Sequence, residues 1–150
     1  MKQTTLCYLI LDGRVLLAMK KRGLGAGKWN GPGGKVEKGE TTEDACRRET
    51  YEETGVTVGQ LENRGVIEFA FEGKPEWDSR CTVFVTSDIS GEPIETEEMR
   101  PQWYALDDVP LADMWEDDAV WLMGVLRGGF VRKRCYFSGD GALIRHEDLP

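Results

Sequence analysis

The chain has 150 residues, 40% of them hydrophobic, and a formal net charge of −8 from 19 Lys and Arg against 27 Asp and Glu. That length suits one domain over residues 1–150, with enough apolar residues for a core. An acidic surface repels polyanions, so long nucleic acid is not expected as a partner, and a phosphate-bearing substrate would need a cation to screen it. No run approaches the ~18 apolar residues of a membrane span, and Met1 to Thr5 lacks the charged and apolar regions of a signal peptide, so a cytoplasmic protein is expected. Cys7, Cys46, Cys81 and Cys135 form no CxxC pair and have no His at metal-ligand spacing. Buried, reduced thiols are expected of them.

Thr4 to Leu11 is almost wholly apolar, Asp12-Gly13 is a two-residue hairpin signal, and Val15 to Met19 resumes the apolar run. A buried hairpin is predicted. Gly23 to Gly39 holds seven glycines and Pro32, too flexible and polar for a regular element, and long enough to be a functional loop. Thr41, with Asp44 three residues on, starts a helix that Gly55 stops. Short strands are predicted over Val66–Phe71, Thr82–Thr86 and Gln102–Leu106, with an acidic turn at Gly91–Glu98. Asp117–Leu126 reads as a second helix with Val120, Leu122, Met123 and Leu126 inward, closed by Gly128-Gly129. Phe130–Phe137 and Ala142–Arg145 then flank a last hairpin turn. The expected fold is α/β (α+β): a mixed or antiparallel sheet with two principal helices.

The helix from Thr41 to Thr54 is poorly amphipathic: Ala45, Cys46 and Tyr51 are its main apolar side chains among many charges. Glu49, Glu52 and Glu53 stand at i, i+3 and i+4, and so share one face within a single turn. Clustered carboxylates repel one another unless a cation lies among them, and hard oxygen ligands select Mg²⁺ or Mn²⁺. A solvated acidic face explains the carboxylates alone equally well.

Their context is more specific. Gly34, five residues, Glu40, seven residues, then Arg48-Glu49-Thr50-Tyr51-Glu52-Glu53-Thr54-Gly55-Val56 closely resembles the Nudix box, a signature with many fixed positions. The resemblance implies the Nudix fold, an α-β-α sandwich around a mixed sheet. It implies metal ligands at Glu49, Glu52 and Glu53 with help from the Gly34 carbonyl, and a charge pair of Glu40 with Arg48 holding loop to helix. Thr50 departs from the pattern, standing where the family prefers an aliphatic residue, so a local packing cost is expected there. Lys20, Lys21, Lys28 or Lys35 could neutralise phosphate oxygens, although a solvated surface lysine is the commoner case.

Further segments resemble the branch of that family formed by the mammalian MutT homologues, which hydrolyse oxidised purine nucleoside triphosphates. They are Met19 to Gly31, Glu98-Met99-Arg100-Pro101, and Asp113-Met114-Trp115-Glu116-Asp117-Asp118. With the N-terminal hairpin they extend the likeness over most of the chain, the last 20 residues being weak. The resemblance implies that Asn30, Asp117 and Asp118 hydrogen-bond a purine edge, that Trp115 stacks on it, and that Thr5 lies in the same pocket; Lys20, by its charge, and Phe69, on the apolar side, complete the expected substrate set. Adjacent carboxyls raise each other's pKa, so one can donate while its neighbour accepts. As residues alone, Asp117-Asp118 reads as a helix N-cap, and Trp115 and Phe69 as core. Leu24 stands where that branch has an aromatic residue, and Trp77-Asp78-Ser79-Arg80 carries one extra residue, so base preference is open to change. Glu98, with Glu52 and Glu53, completes the candidate catalytic set, binding metal or orienting water.

The expected activity is Mg²⁺-dependent hydrolysis of oxidised purine nucleoside triphosphates such as 8-oxo-dGTP or 2-hydroxy-dATP, giving the monophosphate and pyrophosphate, by a monomer. Alternatives are a Nudix pyrophosphohydrolase of RNA 5′ ends, dinucleoside polyphosphates or ordinary nucleotides, and a silent nucleotide-sensing domain.

Overall fold

A computed structural model describes residues 1–150. The hairpin forms as expected: β1 (Lys2–Leu11) and β2 (Arg14–Lys20) run antiparallel, with Leu11 opposite Arg14. Asp12 and Gly13 close it with φ of 54° and 73°, the paired left-handed conformation that a tight two-residue turn demands. Pairing of β1 with β2 involves only Leu9 to Leu11. Before Leu9 the strands splay apart: β2 turns to β3 (Trp29–Asn30), while β1 takes the glycine-rich chain on the vacated edge. The N–H groups of Thr5 and Cys7 donate to Gly34 and Pro32 carbonyls at 2.9 and 2.7 Å, and Val36 N–H donates to Gln3 at 2.9 Å. The glycine stretch thus contains a short strand and is pinned to the sheet, which corrects the expectation of a segment without regular structure. Gly33 is required for that approach, since a Cβ there would lie 1.9 Å from the Thr5 carbonyl oxygen.

Helix α1 (Thr42–Thr54) follows, with Thr41 Oγ1 accepting the Asp44 N–H at 3.0 Å and Gly55 at φ 78° ending it. β4 (Thr57–Val58) then leads into β5 (Glu62–Phe71), β6 (Ser79–Thr86), β7 (Ile89–Ser90) and β8 (Met99–Ala105). Helix α2 (Asp118–Leu126), β9 (Val131–Phe137) and β10 (Leu143–Asp148) complete the chain. One mixed sheet has the order β10-β9-β5-β6-β1-β2-β3, with β8 also pairing along β2, while β4 and β7 form a separate ribbon. β1 is parallel to β6 and β5 to β9; the other pairs are antiparallel.

Alternation along β1 sends Cys7 and Leu9 to one face, where they pack with Leu16 and Phe84 against Cys46 of α1. Tyr8 goes to the other, joining Leu17, Ile67 and Val83 beneath Trp121, Leu122 and Val125 of α2. Two cores on two faces make the expected α-β-α sandwich. The inward face of α2 differs from expectation: Trp121 and Val125 are buried with Leu122 and Leu126, whereas Val120 is exposed. That nine-residue helix is apolar nearly all round, so periodicity could not orient it. Thr50, the departure from the signature, is fully buried beside Cys7 and Cys46. All four cysteines are buried with free thiols. No helix is long and apolar enough to cross a membrane.

Candidate active site

The splay between β1 and β2 opens a pocket of about 290 Å³ above the α2 face of the sheet. It runs into a second hollow of about 410 Å³ on the α1 side, and the two share Glu53 and Met99. One end is walled largely by aromatic residues, the other by carboxylates.

All seven expected substrate residues, Thr5, Lys20, Asn30, Phe69, Trp115, Asp117 and Asp118, line the first pocket. Phe69 also packs into the core beneath, with its ring 6.1 Å from that of Phe137, so it is both core and pocket wall. Trp115 meets Phe71 and Phe137 edge-to-face at 6.0 and 5.6 Å, and Lys28 lies 5.6 Å over its ring. Asp117 and Asp118 do not cap α2: Asp117 makes no cap bond, and both side chains are buried, 2% and 3% exposed. Asp117 Oδ2 accepts the Trp121 indole N–H at 2.7 Å. Asp117 Oδ1, Asp118 Oδ2 and Thr5 Oγ1 have no partner, although each is buried. Native interiors seldom leave polar atoms so, because each costs about 1–3 kcal/mol. Burial lifts the Asp117 carboxyl to about 6; burial, with the neighbouring Asp117, lifts Asp118 well above the usual carboxylate range.

In the second hollow Glu49, Glu52 and Glu53 line one bank, and Glu98, with Thr96 and Glu97, the other. Arg48 ties the first bank together. Its Nε and Nη2 reach Glu40 at 2.8 and 2.9 Å, Nη2 also reaches the Lys35 carbonyl at 3.0 Å, and Nη1 reaches Glu49 and Glu52 at 2.9 and 3.3 Å. The guanidinium and the Glu37 N–H hold the Glu40 carboxyl at about 2. Gly34 lets helix and loop close up, since a Cβ there would sit 2.5 Å from the Glu49 carboxyl carbon. Glu53 accepts the Gly33 N–H at 2.9 Å, and burial pushes its carboxyl up to about 7. No three acidic, thiol or imidazole side chains form a compact ligand cluster. The donors that face the hollow are nevertheless all hard oxygens, suited to Mg²⁺ or Mn²⁺. Glu98 pairs with Arg22 at 3.2 Å and is exposed. Lys20 lies at the junction, near enough to Glu53 to oppose the rise of its pKa, whereas Lys21 is tied to Glu95 and Thr96.

Sequence reasoning did not reach Leu6, Phe71 or Phe137 as pocket walls, nor Trp121 as the partner of Asp117. The spacing Asp117–Trp121, one helical turn, was the available signal for the last of these. Trp77 fills the segment with the extra residue, lining the pocket and packing at right angles on Phe71 at 5.5 Å.

The NUDIX domain family matches residues 1–124. A zebrafish (Danio rerio) protein named oxidized purine nucleoside triphosphate hydrolase is 45% identical over 146 residues, 97% of this chain and 93% of that one. A mouse (Mus musculus) protein of the same name is 51% identical over 117 residues, covering 78% and 74%. Among solved structures, a MutT protein from Bacillus halodurans superposes with a TM-score of 0.86 at 28% identity, over 98% of this chain and 97% of the other. With a family match over most of its length and a relative aligned nearly end to end, the chain belongs to the NUDIX domain family.

Proposed function

We propose that this protein hydrolyses oxidised purine nucleoside triphosphates to the monophosphate and pyrophosphate, removing damaged nucleotides from the pool. The observation that carries the reading is the pairing of Asp117 Oδ1, Asp118 Oδ2 and Thr5 Oγ1, buried and unpartnered, with a pocket otherwise walled mainly by aromatic and apolar side chains. Such a wall takes a flat ring, and the three atoms take its polar edge. Stacking on Trp115 is worth about 1–3 kcal/mol for a base. Burial raises both carboxyls, so within the coupled pair one donates while its neighbour accepts, and the pair reads either of two oxidised purine edges. Asn30 contacts the same edge, and Phe69 closes the apolar side.

The triphosphate then crosses the junction at Glu53, where Lys20 meets its charge, into the acidic hollow. Nudix hydrolases generally work with divalent metals. Glu49, Glu52, Glu53 and the Gly34 carbonyl would hold Mg²⁺ or Mn²⁺, which when bound would screen the triphosphate and make its phosphorus more electrophilic. Water forms the new P–O bond at the α–β anhydride, the bridging P–O bond breaks, and pyrophosphate leaves. The proton of the attacking water passes to the carboxylate set Glu52, Glu53 and Glu98, with Glu98 orienting the water from the far bank. Glu40 and Arg48 keep loop and helix in register for this step. Every residue in the scheme comes from one chain, and we read residues 1–150 as one domain working as a monomer in the cytoplasm.

Substrate ranking in Asp117→Ala and Asp118→Ala tests the reading. Both substitutions should reduce kcat/KM for oxidised purines by about tenfold or more relative to unmodified ones, the loss expected when buried polar readers go. Unchanged ranking in both would refute it.

A further inference from the structure

Asn30 has an amide that can present either a donor or an acceptor, and its neighbours decide which. Its Oδ1 accepts the Gly31 N–H at 2.9 Å and faces the Tyr8 hydroxyl at 3.5 Å. With the carbonyl oxygen bonded by the Gly31 N–H and facing the Tyr8 hydroxyl, the NH₂ is the half of the amide left for the pocket. The two donors differ in kind. Gly31 is the next residue in the chain, whereas Tyr8 belongs to the central strand β1 and is fully buried. Its ring is fixed by an edge-to-face contact with Trp121 at 6.1 Å, and Trp121 in turn holds Asp117 Oδ2. Gly31 makes room for that ring, since a Cβ there would lie 2.7 Å from Tyr8 Cε1. Burial and the nearby Asp118 and Asp117 push the Tyr8 hydroxyl well above its ordinary range, so it keeps its proton and remains a donor.

We infer that Tyr8 is a positioning residue that helps to hold the Asn30 side-chain amide with its NH₂ toward the base, giving the pocket a preference for a purine carbonyl over an amino group at that edge. The inference rests on the proposed base pocket. It assigns Tyr8 no contact with substrate: the hydroxyl acts only through Asn30.

The test compares 8-oxo-dITP with 8-oxo-dATP, which have the same shape but carry a carbonyl and an amino group at position 6. The ratio of their kcat/KM values is measured in wild type, Tyr8→Phe, Asn30→Ala and the double variant, with thermal unfolding of each. Tyr8→Phe should lower the carbonyl-to-amino ratio about threefold or more through KM, with kcat within about twofold, as expected when only recognition is loosened. The double variant should show no further change beyond Asn30→Ala. A Tyr8→Phe protein that is less stable but keeps the wild-type ratio would overturn the role of Tyr8, and so would an equal effect of Tyr8→Phe in the Asn30→Ala background. A ratio shifted by Asn30→Ala but not by Tyr8→Phe removes this inference and leaves the base pocket standing. Wild-type kinetics in Asn30→Ala would overturn both.

Discussion

Replacing Asp117 with Asn should stabilise the protein at alkaline pH and do almost nothing in acid. Asp117 is 2% exposed, and burial raises its carboxyl from 3.8 to about 6. A carboxyl whose pKa is higher folded than unfolded favours the folded state only while protonated. Its contribution is complete below about pH 4 and is lost as pH rises through about 6. A rise of about two units corresponds to about 3 kcal/mol. Asp118 is raised in the same direction, by burial and by the neighbouring Asp117. Asn at 117 can still accept the Trp121 N–H but cannot ionise, so the loss above pH 6 disappears. In urea unfolding, Asp117→Asn should exceed wild type by about 2–3 kcal/mol at pH 8 and match it within about 0.5 kcal/mol at pH 4. For a domain of this size the pH 8 gain is a Tm rise of about 5–10 °C. A variant no more stable than wild type at pH 8, or equally stabilised at both pH values, would refute a buried, ionising Asp117.

Other substitutions probe the acidic hollow. Glu53→Gln should lower kcat by about a hundredfold or more with the fold intact by circular dichroism, the cost of disturbing a catalytic metal site; near-normal turnover would remove Glu53 from that site. Gly34→Ala should drive the Glu49 carboxylate from the loop, because the new methyl lands 2.5 Å from it, and kcat should fall while the pocket still binds product in a calorimeter. Lost product binding would show that the two hollows do not act separately. Glu40→Gln removes one partner of the Arg48 fork at 2.8 and 2.9 Å, so loop and helix should slip and kcat/KM fall by about tenfold, with a smaller effect on Tm. Unaltered kinetics would make that pair ornamental.

Much of this was legible where local chemistry and global fold agree. Asp12-Gly13 admits few conformations besides a tight hairpin turn, and Thr41 and Gly55 bracket α1 as cap and stop. Glu49, Glu52 and Glu53 share a helix face by spacing alone, and the basin they line follows from it. Distant contacts were not legible. The glycine stretch looked free because its hydrogen-bond partners lie some thirty residues back on β1, through Thr5 and Cys7. Taken alone, without the family resemblance that put them at the base, Asp117-Asp118 read as a helix cap, because nothing local says that both carboxyls are buried, and that Trp121, not Val120, faces inward. Tyr8 looked like any core aromatic until Asn30, 22 positions away, was found beside its hydroxyl.

The central claim is tested most directly by steady-state hydrolysis with Mg²⁺ across 8-oxo-dGTP, 2-hydroxy-dATP, dGTP, dATP and a dinucleoside polyphosphate, scoring pyrophosphate separately from phosphate. The account predicts a kcat/KM at least about tenfold higher for an oxidised purine than for its unmodified parent, equal to about 1.4 kcal/mol, with pyrophosphate as product and no turnover once the metal is chelated. Equal rates on oxidised and ordinary purines, or turnover confined to the dinucleoside polyphosphate, would contradict it.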